Sequence, residues 1–281
     1  MCLIAFTLGQ NRHYPLVVAA NRDEFFNRPT AAMAWWSGAN RALVSKPVLA
    51  GRDLQAGGTW LAISASGVVS AVTNVREGDP KAGVISRGEL PLRALQQSAQ
   101  SLRKHLADNA SGYSGFNLVT LDAGQKRAAG PCGWYFSNRD TYPGRSLHRG
   151  SYGVSNHLLQ TPWPKLLRLR QHVTSTVGAA GEDSEPLHRA LIDHLKDSAP
   201  APDHLLPRTG VDLATERVLS PAFIIGEHYG TRVTTVVTVA ASGEIRVTEQ
   251  TWQPGGKPGE CRQLCWQQWP ASSVIIRRKG T

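Results

Sequence analysis

The chain begins Met1-Cys2. Removal of the initiator Met, which a small second residue permits, leaves Cys2 with a thiol and a free α-amine on one residue. Their reference pKa values are about 8.5 and about 7.7–8.0, so both groups work near neutral pH. The amine can take the thiol proton and the thiolate can then attack a carbonyl, the arrangement of an N-terminal nucleophile. A free Cys is also a common first buried residue of an apolar strand. The chemistry therefore requires other residues that converge on Cys2.

Several candidates stand at the ends of apolar runs. Asn21-Arg22-Asp23-Glu24 closes the first one. There Asp23 can hold the α-ammonium, and Arg22 can pair with Asp23 or bind an anionic substrate group. Asn74 and Asn156 are neutral donors suited to an oxyanion. Arg232, always charged, favours a thiolate placed beside it. Gly57-Gly58 allows close backbone approach and precedes Trp60, a candidate aromatic wall; Trp163 is a second. His157 is a candidate base or haem ligand, although a lone His is more often neither. Each also has a bland reading as an ion pair, a turn residue or a core ring. Cys261 and Cys265 have the i, i+4 spacing of one helix face and no matching ligand pair, which reads as structural thiols and no metal site.

Composition narrows the class. Of 281 residues, 41% are hydrophobic and four are Cys, which suits a globular protein rather than a disulfide scaffold. No secretory signal and no membrane-length apolar run is visible, so a cytoplasmic location is expected, with no transmembrane segment. The net charge of +10 invites a nucleic-acid reading. Its Lys and Arg residues are scattered, however, and the tight run Arg277-Arg278-Lys279 is a short tail. No nucleic-acid partner is expected; the charge equally suits small anions.

The elements that must position these residues are mostly hairpins. Leu3–Leu8 and Leu16–Ala20 flank a polar turn, so the second run returns beside Cys2. Thr59–Ser64 pairs with Val68–Thr73, and Val233–Val239 with Ile245–Glu249. Phe116–Leu121 is a strand with a return at Gly133–Phe136. A capping-box pattern at Ser86–Glu89 predicts a helix carrying Leu92, Leu95 and Ala99 on one face. Pro164 opens a helix with Leu166, Leu169 and Val173, and Ser184 precedes one with Leu187, Leu191 and Leu195. Residues 198–221 read as a long excursion or linker. Hairpins with helices between them predict an α+β fold of antiparallel sheets, one domain over 1–281.

In sum these residues resemble the NRDE proteins, also called the transport and Golgi organisation protein two family. The resemblance rests on Met-Cys, Asn-Arg-Asp-Glu-Phe at 21–25, Arg28-Pro29, Gly-Gly-Thr-Trp-Leu at 57–61, Thr73-Asn74, Gly-Phe-Asn-Leu at 115–118, Ser155-Asn156 with Thr-Pro-Trp at 161–163, and Tyr-Gly-Thr-Arg at 229–232. It implies an N-terminal-nucleophile (Ntn) hydrolase-like four-layer αββα sandwich of two mainly antiparallel sheets. The pattern is similar to that of cysteine Ntn amidases, and the positions that match in order are Cys2, Asp23, Asn74, Asn156 and Arg232. Those amidases carry an Arg where this chain has Ala20. Asn21, Arg22, Trp60, His157 and Trp163 are the expected substrate-binding residues. The implied function is hydrolysis of an amide or thioester bond in a small molecule, with no cofactor required. The family is also associated with haem trafficking and with acyl-CoA or lipid handling. The alternative is therefore a carrier of haem or an acyl compound, with Cys2, His157 or His228 as iron ligand.

Overall fold

The computed structural model describes residues 2–36, 43–78, 83–124 and 130–267. Met1 and the basic run at 277–279 lie outside the described residues. In chain order the elements are β1 (Cys2–Leu8), β2 (Leu16–Phe25), β3 (Thr30–Trp36), β4 (Val48–Asp53), β5 (Leu61–Ser64), β6 (Val69–Asn74), α1 (Leu90–Gln96), α2 (Ala99–Asn109), β7 (Phe116–Asp122), β8 (Cys132–Ser137), β9 (Gly144–Leu147), β10 (Gly150–Val154), α3 (Pro164–Ala179), α4 (Ser184–Leu195), α5 (Leu213–Val218), β11 (Tyr229–Val239), β12 (Glu244–Gln253) and β13 (Lys257–Gln267).

The first hairpin forms as expected, with Leu8 opposite Leu16 and Cys2 opposite Arg22. β2 runs on to Phe25, so the Asn-Arg-Asp-Glu residues belong to the strand and not to the turn after it. β11 pairs with the free side of β2. The result is one sheet in the order β10-β1-β2-β11-β12-β13 and a second that follows the sequence from β3 to β9.

Side-chain alternation decides which face each residue serves. Cys2, Ile4, Phe6 and Leu8 face the second sheet, where they join Leu61, Ile63, Val119 and Tyr135. Leu3 and Ala5 face the other way, against Leu166 and Leu169 of α3 and Leu187 and Leu191 of α4. Burial on both faces is why β1 reads as an unbroken apolar run. Beyond the second sheet, Leu90 of α1 with Leu102 and Leu106 of α2 packs on Val72, Leu118 and Phe136. The layers run helix, sheet, sheet, helix. This is the α+β, four-layer αββα sandwich of antiparallel sheets that was expected.

Three local expectations change. Ser86 caps a single 3-10 turn through Gly88 N–H, and the Glu89 carboxylate goes to Arg93 and Tyr113 instead of back to the cap. Gln97 is extended, so α1 stops there and Ser98 starts α2 as a separate helix. Cys261 and Cys265 lie on the edge strand β13, not on a helix; a spacing of four also keeps two residues on one face of a strand. Residues 198–221 are not a linker. They carry α5, which is fastened to the body by a buried Arg76–Glu216 ion pair and by Lys165 Nζ donating to the Leu219 carbonyl at 2.8 Å.

Candidate functional site

A cleft of about 950 Å³ opens at the end of the first sheet where Cys2 lies. Cys2, Arg22, Asp23, Trp60, Asn74 and Arg76 line it, with α5 on the far side contributing Ala214, Thr215 and Val218. The strand register explains the first contacts. Arg22 is the residue directly across from Cys2 and shares its face of the sheet. Its guanidinium lies 4.3 Å from the centre of the Trp60 ring. Trp60 in turn fits only because residue 51 is Gly: a Cβ there would stand 2.3 Å from the ring. Burial pushes the Cys2 thiol pKa up, and the Arg22 charge opposes that rise. The buried sulfur is therefore a thiol at neutral pH and needs a base to become a nucleophile.

Asp23 follows on the opposite face of β2. It is 1% exposed, and its Oδ1 accepts from the Thr231 hydroxyl at 2.7 Å. Burial raises its pKa, with the Lys165 charge and the Thr231 hydrogen bond acting against that. Lys165, buried at the start of α3, has its own pKa lowered to about 8 by burial.

Asn74 and Asn156 form a two-layer arrangement. Asn156 is fully buried and its Nδ2 donates to both the backbone carbonyl of Asn74, at 3.2 Å, and the Asn74 Oδ1, at 3.0 Å. A backbone carbonyl accepts only, so the nitrogen of Asn156 must point at Asn74. The atom of Asn74 that meets it must then be the oxygen. This leaves the Asn74 Nδ2 outside that contact, and Asn74 itself lines the cleft. Ser155 completes the link: its hydroxyl is placed 3.2 Å from Asn156 Oδ1 and 3.3 Å from the Cys2 carbonyl.

The family model for Transport and Golgi organisation 2 matches residues 1–254. The chain belongs to the Transport and Golgi organisation 2 family. The homologue of Mus musculus is 32% identical over 270 residues, covering 89% of this chain and 93% of its own. That of Bos taurus is 33% identical over 261 residues with the same coverage, and that of Drosophila melanogaster 30% over 271 residues, covering 89% and 92%. Among solved structures, the mutant C2A conjugated bile acid hydrolase from Clostridium perfringens is similar with a TM-score of 0.44 at 9% identity, covering 100% of this chain and 97% of that one.

In this member of the Transport and Golgi organisation 2 family, five of the expected site residues lie away from the cleft lining: Asn156, buried behind Asn74, and Asn21, Arg232, Trp163 and His157. Asn21 is 1% exposed; its Nδ2 donates to the carbonyls of Leu195 and Ala222, each at 2.8 Å, and its Oδ1 accepts from Thr234. It ties the end of α4 and the segment after α5 to the sheet. Arg232 sits at a bulge in β11 and donates to the carbonyls of Phe25 and Arg28, bracing the β2–β3 turn. Arg22, not Arg232, is the cation opposite the thiol. Trp163 is buried in the α3–α4 layer, where the Arg76 guanidinium lies over it at 5.0 Å. His157 is exposed and bonded to Thr161.

Conversely, three cleft residues had no sequence signal of their own, Arg76, Arg87 and Asp53, and a fourth, Glu24, stood in the Asn-Arg-Asp-Glu motif without an expected role. Arg76 stands two residues past Asn74 on the same strand end, and that proximity was the one available clue. Among the described residues, no cluster of three or more His, Cys, Asp or Glu could hold a metal, and no helix is long and apolar enough to cross a membrane.

Proposed function

We propose that this chain is an N-terminal-cysteine hydrolase acting on an amide or thioester of a small molecule. One arrangement carries the reading: Cys2 and Asn74 line the same cleft, and Asn156 holds the Asn74 amide by its oxygen, which leaves the nitrogen to donate. After removal of Met1, the Cys2 amine takes the thiol proton and the thiolate adds to the substrate carbonyl. Asn74 Nδ2 donates to the oxyanion that forms. Asp23 keeps the amine in place. The resulting ammonium protonates the departing amine or thiol, leaving an acyl thioester on Cys2. Water then attacks that ester with the amine as base, releasing the acid and restoring the thiol.

The test is covalent. Intact-mass spectrometry should find a chain lacking Met1. Incubation with the neutral octanoyl thioester of N-acetylcysteamine should add one octanoyl group at Cys2, and Cys2→Ala should abolish the addition with the fold retained. A mature chain that keeps Met1 would falsify this mechanism. The carrier reading uses the same cleft, whose Trp60 wall and arginines suit an amphipathic anion. Of its three candidate iron ligands, Cys2 alone lines that cleft. A saturable Soret shift on haem titration, lost in Cys2→Ala, together with no acyl adduct, would favour it instead.

A further inference from the structure

Among the described residues four arginines line the cleft: Arg22, Arg28, Arg76 and Arg87. Three have carboxylate partners. Arg22 faces Glu24 at 3.6 Å and Asp53 at 4.0 Å, Arg28 holds Asp53 at 2.8 Å, and Arg76 is paired with Glu216. Arg87 differs. Among the described residues its hydrogen-bond partner is a neutral carbonyl, that of Gly115, which accepts from Arg87 Nη1 at 3.0 Å, and no carboxylate pairs with it. The same Gly115 carbonyl accepts from the backbone N–H of Val75 at 2.9 Å. This shared acceptor places the Arg87 guanidinium against the strand end that runs from Asn74 to Arg76.

A second observation points the same way. Arg76 is 7% exposed, and its Nε and Nη2 have no hydrogen-bond partner among the described residues. Buried guanidinium N–H groups are rarely left without an acceptor. The strand end beside Asn74 therefore holds two cations with spare donors, and among the described residues the carboxylate hydrogen-bonded to either of them is Glu216. Burial lowers the Arg87 pKa, and Cys2 in its thiolate form, Glu24 and Glu77 oppose this, so the guanidinium is within electrostatic reach of the sulfur and of both carboxylates. The far side of the cleft is apolar: Val211, Ala214, Val218 and Leu219 line it, and Val218 is 58% exposed.

We propose that Arg87 receives a carboxylate of the substrate. The molecule attacked by Cys2 is then an amphipathic acyl compound, with an apolar chain along α5 and an anionic group close to the scissile carbonyl. A guanidinium recognises a carboxylate through two parallel N–H donors, and a neutral amide isostere cannot replace both charge and geometry. This inference rests on the N-terminal-nucleophile reading for what happens to the ligand, but not for how the ligand is held.

The experiment measures binding without turnover. Calorimetry on Cys2→Ala protein compares N-octanoylglycine with its neutral carboxamide, N-octanoylglycinamide. The acid should bind at least about tenfold more tightly, the range of a charge-assisted hydrogen bond. Adding Arg87→Met should bring the ratio to about one, while Arg87→Lys, which keeps the charge, retains part of it. Equal affinities in the parent, no binding of either compound, or a ratio that survives Arg87→Met would each overturn the proposal. Should Arg87→Met not fold, the ratio in the parent and in Arg87→Lys decides. The neutral octanoyl thioester separates the two claims. Its failure to acylate Cys2 in otherwise unaltered protein counts against the nucleophile, while the acid-to-amide ratio speaks only for the anion seat.

Discussion

Asn74 and Asn156 match the same kind of family position and read alike in the sequence, yet the structure gives them different work. Asn74 borders the cleft; Asn156 is buried behind it and spends both amide protons on Asn74. If Asn74 donates to the oxyanion, Asn74→Ala should slow acylation of Cys2 by about 10²–10³-fold, the usual effect of losing one such donor. Asn156→Ala should also slow it, but the double variant should be no slower than Asn74→Ala alone, because Asn156 acts through Asn74. Timed intact-mass spectrometry of the octanoyl adduct, with melting curves as a control, gives all three rates. Additive losses would mean that Asn156 reaches the substrate itself. At this scale residue types were legible, since Asn at a strand end is a visible donor. Their depth was not, because depth depends on chain segments far away in sequence.

At the scale of elements, the cleft floor depends on close backbone contact. Gly58 precedes β5 and lies against the turn at residues 87–89; a Cβ on Gly58 would stand 2.5 Å from the Gly88 carbonyl carbon. The Thr59 N–H donates to the Gly88 carbonyl at 2.8 Å across the same contact. Gly58→Ala must push the Trp60 strand away from the Arg87 turn. Overpacking of this kind costs about 1–3 kcal/mol, so the urea midpoint should fall with little change in m-value. An unchanged midpoint would show that the turn yields freely. The hairpins themselves were legible because their pattern is local: β1–β2, β5–β6 and β11–β12 all appear near their expected positions. The edge strand β13 was not. Its residues are largely exposed or half-buried, so no strong alternation marks it.

For the molecule as a whole, the contact between the two sheets includes one buried acid. Glu249 on β12 is fully buried, and its Oε1 accepts from the Met33 N–H of β3 at 2.6 Å. Its Oε2 is buried with no hydrogen-bond partner among the described residues. Burial, only partly offset by the Met33 hydrogen bond, pushes its pKa up from 4.5 to about 7. Between those values the folded state binds more proton than the unfolded state. The contribution of Glu249 to stability is therefore fully present below about pH 4.5 and is lost as pH rises through about 7. Glu249→Gln keeps the acceptor for Met33 and cannot ionise. Relative to the parent, it should gain stability as pH rises from 4.5 to 7 and then level off, measured as urea midpoints across that range. A difference that does not change with pH would show that Glu249 is ionised throughout.

The sequence alone determined the hairpin that returns its second strand beside Cys2, because a short polar turn separates two apolar runs. It also determined the α+β class with antiparallel sheets, from hairpins interleaved with amphipathic helices, while the four-layer order was what the family resemblance implied. Tertiary structure alone decided which cation meets the sulfur, which Asn reaches the cleft and what forms the far wall. Arg76, Arg87 and α5 come from separate stretches of chain that carry no common period. Their meeting depends on two sheets and a fastened excursion closing over one strand end, and those long-range contacts leave no trace in local pattern.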